Sequence, residues 1–164
     1  MKLSDKKLTK SEKELILKEL KESTGFTDYK KEELDYFVNK NQLLIFRNNK
    51  KELVGIIIYE FFDKKWAEIR AILVLKKFRG KGYGKKFLKR TIKKLKNKKF
   101  YVMSFDGLAK NLFIRENFSK INYLEFPWPL MKYLLRERLK WYKVRALLAK
   151  KETRFKDLEH FIYN

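Results

Sequence analysis

Residues 73–84 read LVLKKFRGKGYG, an apolar run that leads into a loop with three glycines. The apolar run predicts a strand and the residues after the loop predict a helix, so the glycines lie in a strand-to-helix turn. Successive backbone N–H groups in such a turn, together with the positive end of the helix, form a cradle for an anion. The loop alone indicates either a phosphate site or a tight turn that uses glycine for its positive φ.

Two well-known phosphate loops do not fit this sequence. Gly80-Lys81-Gly82-Tyr83-Gly84 matches neither GxxxxGK[ST] nor GxGxxG. The strands expected ahead of the loop form an antiparallel meander, which also argues against a Rossmann unit. A P-loop nucleotidase and a dinucleotide-binding domain are therefore disfavoured.

Hydrophobic periodicity predicts elements on both sides of the loop. A capping box at Ser11–Glu14 starts the first helix. Helices are expected at about 11–22, 30–39, 83–97, 107–117 and 130–150, and strands at 42–46, 53–62, 66–75, 99–104, 120–126 and 158–163. The pattern predicts one domain over 1–164 with an α/β (α+β) fold: a central mixed, mostly antiparallel sheet with flanking helices and a long basic C-terminal helix.

Composition removes several classes of chemistry. The 164 residues include no cysteine and one histidine, His160. The absence of cysteine excludes disulfides, zinc–thiolate sites and cysteine nucleophiles. A single histidine nearly excludes a Ser-His-Asp triad and a multi-histidine metal site. We therefore expect no metal. No apolar run approaches 18 residues, and the first residues lack a signal-peptide pattern. We expect a cytoplasmic protein with no membrane partner.

The chain is strongly basic, with 42 Lys and Arg against 20 Asp and Glu and a net charge of +22. Such a charge indicates an anionic partner such as nucleic acid or a ribosomal surface, or else a compositional bias toward lysine. Residues 132–156 carry aromatic residues among their cations. They are consistent with a solvated amphipathic helix, a nucleic-acid surface or, less well, a membrane surface.

The loop and a downstream segment resemble the GNAT N-acetyltransferase superfamily. Arg79, Gly82 and Gly84 occupy the defining positions of the family's [R/Q]-x-x-G-x-[G/A] motif. Residues 109–118, AKNLFIRENF, are similar to the family's A-x-x-[FY]-Y-x-K-x-G-F segment, with Asn117 where glycine is usual. Asn117 is compatible because asparagine also adopts the left-handed conformation. The resemblance covers about 41–126, and the family's first strand is not evident in this sequence.

The resemblance implies an acetyl-CoA-binding core over 41–126, preceded by N-terminal helices (1–40) and followed by the basic helix and final strand (127–164). Acetyl-CoA would be the co-substrate, with its pyrophosphate on the loop amides and a backbone N–H near Val74 stabilising the oxyanion. The residues expected to bind it are Ile72, Val74, Arg79, Gly80, Lys81, Gly82, Tyr83, Gly84, Asn111 and Phe113.

For the general base, the resemblance favours Glu68, which stands eleven residues before Arg79, in the register of the catalytic glutamate of histone-acetyltransferase-like members. The alternative for Glu68 is an exposed strand residue paired with Arg70 or a nearby lysine. Glu60 is the reserve base, acting through water. Strand alternation places Glu68, Arg70, Ile72 and Val74 on one face.

One position departs from the family pattern. Many members have a tyrosine acid where this chain has Phe113, so water, Tyr101 or Tyr123 would substitute, or the thiolate would leave unprotonated. Two functions therefore remain open. One is N-acetyl transfer to a primary amine of a protein, a nucleic-acid component or a small molecule, with the basic charge favouring an acidic or nucleic-acid-associated acceptor. The other is a non-catalytic module that binds acyl-CoA or RNA.

Overall fold

A computed structural model describes residues 2–4, 7–24, 29–104, 107–138 and 159–163. The chain divides into two compact units. The first unit consists of residues 1–60 and 69–96, and the second of residues 61–68 and 97–164. No helix within these described ranges is both long enough and apolar enough to cross a bilayer.

The first unit contains an N-terminal helical pair and a run of strands in the order β1-β2-β3-β4. Its elements are β1 (Lys2–Ser4), α1 (Lys10–Thr24), α2 (Lys31–Asn39), β2 (Leu43–Arg47), most of β3 (Leu53–Phe61), the end of β4 (Trp66–Val74) and α3 (Tyr83–Lys94). A short 3-10 turn, Lys76–Phe78, separates β4 from the glycine loop. The pairs β1–β2 and β2–β3 are antiparallel, as the predicted meander requires.

The core of the first unit lies where these helices cover the strands. Its fully buried side chains include Ile16, Leu20, Leu34, Ile56 and Ile58. Phe87 of α3 stacks on Phe46 of β2 with ring centroids 4.0 Å apart. Gly55 permits this packing, because a Cβ there would lie 2.6 Å from the Phe87 ring and 2.1 Å from the Leu73 carbonyl oxygen.

The second unit has strands in the order β5-β7-β6, all antiparallel. Its elements are β5 (Lys99–Ser104), α4 (Gly107–Arg115), β6 (Ser119–Lys120), α5 (Trp128–Arg138) and β7 (Glu159–Tyr163). Tyr101, Ile121, Phe126, Leu130 and Tyr133 form its buried cluster. The α/β class predicted from the sequence is confirmed. Residues 139–158, where the predicted long basic helix would continue, lie outside the described residues.

Two strand predictions were wrong. A first strand does exist, since Lys2–Ser4 pairs with Ile45–Arg47 of β2. The strand expected at 120–126 is reduced to Ser119–Lys120, because a turn begins immediately afterwards. In that turn the amide of Glu125 donates to the Asn122 carbonyl oxygen at 3.0 Å, and the amide of Asn122 donates to the Glu125 carboxylate at 3.2 Å.

The capping box of α1 lies two residues earlier than predicted. The Thr9 amide donates to Glu12 Oε2 at 2.9 Å, and the Glu12 amide donates to Thr9 Oγ1 at 3.2 Å. Arg47 selects this register, because its Nη1 and Nη2 donate to the two oxygens of Glu12 at 2.6 and 2.9 Å. Glu14, the partner expected for Ser11, is exposed.

Glu12→Gln tests the observed register. Hydrogen bonds from Arg47, reinforced by those from Thr9, hold the pKa of Glu12 below its usual value. The resulting stabilisation is complete above the unfolded pKa, about 4.3, and is lost as pH falls through the lower folded pKa. We expect Glu12→Gln to lower the free energy of unfolding by about 1–3 kcal/mol at pH 7, and by less at low pH. Urea denaturation of both proteins near pH 7 and pH 3 measures this.

The matched control is Glu14→Gln, which removes the same charge from the exposed position of the predicted box. It should change the free energy of unfolding by no more than about 0.5 kcal/mol. A larger loss for Glu14→Gln than for Glu12→Gln would contradict the observed register.

Candidate active site

The glycine loop of the first unit is built by two left-handed residues. Gly80 has φ 76° and Gly82 has φ 70°, a region that other residues adopt at a cost. Gly82 is the N-cap of α3 and provides no side-chain cap. A Cβ on either glycine would meet nothing within 4 Å. The backbone conformation alone therefore explains these two glycines, while Gly84 lies within the helix.

The amides of the loop find no acceptor within the part of the chain that the structure describes. The first amide that closes a turn of α3 is that of Lys86, which donates to the Gly82 carbonyl oxygen at 3.3 Å. Among the residues that the structure describes, none accepts a hydrogen bond from the amides of Gly80, Lys81, Gly82, Tyr83 or Gly84. Unsatisfied N–H groups at the positive end of a helix form an anion-binding site.

Arg79, one of the residues expected to bind acetyl-CoA, makes hydrogen bonds within the protein. Its amide is used, because it donates to the Lys76 carbonyl oxygen at 3.2 Å. Its side chain folds back, with Nε donating to the Val74 carbonyl oxygen at 3.0 Å and Nη2 donating to Glu19 Oε2 at 3.1 Å. The carboxylate of buried Glu19 also accepts the Lys76 amide at 2.8 Å. Arg79 and Glu19 thus tie the loop to the end of β4.

The strand β4 carries Ile72 and Val74 on one face and the buried Ile69 and Leu73 on the other. Ile72 and Val74 are half-buried. Burial alternates only over residues 72–74, because Glu68 of the same predicted face is buried and Ala71 of the opposite face is half-buried. The contacts of Ile72, Val74 and the loop residues with acetyl-CoA stay a prediction.

Glu68, the predicted base, is 9% exposed. Its Oε2 accepts a hydrogen bond from the Tyr133 hydroxyl at 2.6 Å. The Tyr133 ring is stacked on Phe62, with centroids 4.5 Å apart and planes 16° apart. Glu68 is therefore buried, and the alternative of an exposed strand residue does not hold. Arg70, the partner named in that alternative, forms an ion pair with Glu60. Glu68, Phe62 and Tyr133 all belong to the second unit.

Tyr133 is the residue of this arrangement that sequence analysis missed. The sequence places Tyr133 among the aromatic residues that alternate with cations over 132–156. In the structure its side chain is buried, with 4% exposed. The available signal was its position beside Leu130 and Leu134 on the apolar side of the helix, where a tyrosine hydroxyl needs a buried partner.

Glu60, the reserve base, is engaged in an ion pair of the first unit. Arg70 Nη1 donates to Glu60 Oε2 at 2.6 Å, and both side chains are largely buried. The role of Glu60 as the reserve base stays a prediction.

The two residues of the 109–118 segment that were expected to bind acetyl-CoA differ in exposure. Phe113 is 3% exposed and packs on Phe118 and Phe161 in the second unit, while Asn111 is exposed. Asn117 has φ 64°, so the left-handed conformation expected for the residue in place of glycine is confirmed. The predicted contacts of Phe113 and Asn111 with the co-substrate are untested.

Tyr101, one of the substitute acids, is fully buried, and its hydroxyl lies 2.7 Å from His160 Nδ1. Tyr123, the other substitute acid, is not among the side chains that the structure describes. Within the described part of the chain, no group of three or more His, Cys, Asp or Glu residues could hold a metal ion.

Comparison with solved structures shows the fold. N-acetylglutamate synthase from Neisseria gonorrhoeae, complexed with coenzyme A and N-acetyl-glutamate, matches with a TM-score of 0.70 and 15% identity over 98% of this chain. The match covers 34% of that synthase, so this chain spans about a third of its length. Rv2747 from Mycobacterium tuberculosis, in complex with CoA and NLQ, matches with a TM-score of 0.68 and 14% identity, covering 96% of each chain.

A third similar structure is the ribosomal-protein-S18-alanine N-acetyltransferase from Escherichia coli. It matches with a TM-score of 0.60 and 12% identity, over 98% of this chain and 90% of that one. No curated protein sequence matches this chain.

The family model described as "Acetyltransferase (GNAT) family" matches residues 13–118, which include the glycine loop, Glu68 and the 109–118 segment. This range is well over half of the 164 residues. The chain belongs to the GNAT acetyltransferase family.

Proposed function

We infer that this protein transfers the acetyl group of acetyl-CoA to a primary amine. The observation that carries the proposal is the row of amides from Gly80 to Gly84, which have no acceptor in the described protein and stand at the N-terminus of α3. A diphosphate supplies the acceptors that these donors need. Family membership and similar structures solved with coenzyme A support the same ligand.

The loop would hold acetyl-CoA by its diphosphate, and acetyl-CoA would supply an acetyl thioester. The Gly80–Gly84 amides donate to phosphate oxygens, and Arg79 keeps the loop in shape through Val74 and Glu19. The amide of Val74 is the proposed donor to the carbonyl oxygen as negative charge develops there. Such a preorganised donor contributes about 3–4 kcal/mol to transition-state stabilisation.

Glu68 is the proposed general base, which takes a proton from the attacking amine. The Tyr133 hydroxyl holds Oε2 and fixes the direction of the carboxylate. Tyr133 is in turn fixed by its stack on Phe62. We assign Glu68 as the catalytic residue and Tyr133 as a positioning residue.

The thiolate is proposed to leave without a protein acid. Phe113 has no proton to donate, and the hydroxyl of Tyr101 is already paired with His160 inside the core. A thiol has a pKa of about 8.5, judged from cysteine, so its anion is a competent leaving group near neutral pH.

We place this reaction in the cytoplasm.

The acceptor is proposed only as a class, a primary amine of a protein or of a nucleic-acid-associated molecule. The similar structures include an enzyme named for a ribosomal-protein alanine and one solved with N-acetyl-glutamate, so fold likeness does not narrow the class. A screen of peptides, amino acids and polyamines with labelled acetyl-CoA identifies it. No observation favours the non-catalytic alternative.

Gly82→Asp should weaken coenzyme A binding by at least about tenfold, because a carboxylate would stand beside the diphosphate, and each 1.4 kcal/mol is a factor of ten. Asparagine and aspartate both tolerate the left-handed conformation and both cap helices. Gly82→Asn, which differs only in charge, should lose much less affinity. Isothermal titration with coenzyme A measures both. Equal affinity for the aspartate and asparagine variants would remove the loop from the binding site.

Glu68→Gln should lower kcat by about 10²–10⁴-fold, the usual contribution of a general base. The affinity for coenzyme A should stay within about threefold, because Glu68 is not proposed to bind the nucleotide part. Steady-state assays with the acceptor from the screen, together with coenzyme A titration, separate the two effects. Undiminished turnover in this variant would exclude Glu68 as the base.

Tyr133→Phe keeps the ring stacked on Phe62 and removes the hydroxyl that Glu68 accepts. Because that hydroxyl fixes the direction of the carboxylate, kcat should fall by at least about tenfold, while KM for the acceptor and the affinity for coenzyme A stay within about threefold. Tyr101→Phe is the control, since it also deletes a buried hydroxyl of the second unit, but one paired with His160. Steady-state assays measure both variants, and an unchanged kcat in Tyr133→Phe, or the same loss in both variants, would contradict the positioning role.

A further inference from the structure

The exposed face of α3 carries only basic side chains. Phe87, Leu88 and Thr91 are fully buried beneath the helix. The outward positions are Lys85, Lys86, Lys89, Arg90, Lys93 and Lys94, and all six are exposed. The twelve residues of α3 contain no acid. We call these six side chains the α3 basic face.

A general bias toward lysine does not explain this face, because the other two helices of the same unit differ from it. The sequence of α1, KSEKELILKELKEST, has four Lys and four Glu. The sequence of α2, KEELDYFVN, has one Lys against three acids. A bias in composition would act on all three helices, whereas among these three helices only α3 has an excess of cations.

The α3 basic face also costs helix stability. It contains four like-charged pairs at spacing i,i+4, from Lys85/Lys89 to Arg90/Lys94, each unfavourable by about 0.2–0.5 kcal/mol. Lys85 and Lys86 stand in the first turn, where the helix dipole disfavours cations. A bound polyanion offsets this repulsion by its own attraction to the cations.

We propose that the α3 basic face binds the phosphodiester backbone of a nucleic-acid strand without reading its sequence. Residues 85–94 place six positive charges along about 14 Å of helix axis, at 1.5 Å per residue. That density is comparable with one phosphate per about 3.4 Å of a nucleic-acid strand. No exposed Asn, Gln or aromatic side chain on this face reads base edges, so the contact is electrostatic.

The chemistry of the face disfavours a membrane surface as the partner. A membrane-bound helix needs apolar side chains to insert beside its cations, and the exposed positions of α3 have none. The proposal does not rest on acetyl transfer. Its decisive positions, Lys89 to Lys94, lie beyond the first turn of α3 and outside the loop.

The test compares two quadruple variants with equal charge changes. The first replaces Lys89, Arg90, Lys93 and Lys94 of α3 with glutamine. The control replaces the exposed Lys7, Lys10, Lys18 and Lys31 with glutamine. Each removes four of the +22 charges. Fluorescence anisotropy with a labelled 20-nucleotide single-stranded RNA of mixed sequence, from 50 to 200 mM KCl, gives affinity and its salt dependence.

We expect the α3 variant to lose at least about tenfold in affinity at 50 mM KCl. The slope of log K against log salt should become shallower by about 3, since each phosphate contact contributes about 0.7 on a single strand. The control should stay within about threefold of the wild type. Equal losses in the two variants, or no loss in either, would overturn the proposal.

Two further probes decide between classes of partner. We measure the binding of poly-glutamate and of vesicles with 30% anionic lipid to the wild type. Binding of either as tight as that of the RNA would also overturn the proposal.

The α3 variant should unfold at the same or a higher temperature, because it removes like-charged pairs. It should also bind coenzyme A as the wild type does, so failure of the proposed acetyl transfer is scored separately. If the quadruple variant does not fold, the double variant Lys89→Gln/Lys93→Gln should show about half the change in slope.

Discussion

The amides at the start of α3 have no acceptor among the described residues, and the site in the first unit depends on keeping them available. The other helices of that unit begin with caps: Glu12 accepts the Thr9 amide at α1, and Glu33 accepts the Lys30 amide at α2. At α3 the N-cap is Gly82, which has no side chain that could accept a hydrogen bond. Glycine at an N-cap costs the helix only about a few tenths of a kcal/mol relative to serine or aspartate, and it leaves the amides of the first turn available to a bound anion.

This loop keeps its shape without the anion because its other end is fixed. Glu19, from the middle of α1, is buried and accepts both the Lys76 amide and the Arg79 guanidinium. Arg79 also bonds the carbonyl oxygen of Val74, the last residue of β4. Preorganised donors bind without ordering cost at the moment of binding. The arginine of the family motif therefore acts here on the loop itself, through contacts made by two elements that precede the loop in the chain.

The local hydrophobic pattern of the sequence predicted most helices and strands, because the two have distinct periods. It failed where contacts between residues distant in the chain determine the structure. Two overlapping [S/T]-x-x-E patterns start α1, and the choice between them depends on Arg47, 35 residues from Glu12. The pairing of Tyr133 with Glu68 spans 65 residues, so spacing could not predict it. The strand expected at 120–126 failed for a local reason, because Asn122 and Glu125 close a turn within an otherwise apolar run. The three-residue β1 is too short to carry a period and is defined by its pairing with β2.

The two kinds of basic residue are used differently in the first unit. Arg47, Arg70 and Arg79 each hold a glutamate that is itself at least three-quarters buried, namely Glu12, Glu60 and Glu19. A planar guanidinium with several donors suits such partly buried pairs better than an ammonium does. Five of the six cations on the α3 basic face are lysines, whose flexible, hydrated charges suit contacts with a mobile polyanion. The different uses of arginine and lysine follow from the chemistry of their side chains. Arginine forms the hydrogen bonds that hold the loop and the cap of α1, whereas lysine supplies most of the positive charge on the exposed face of α3.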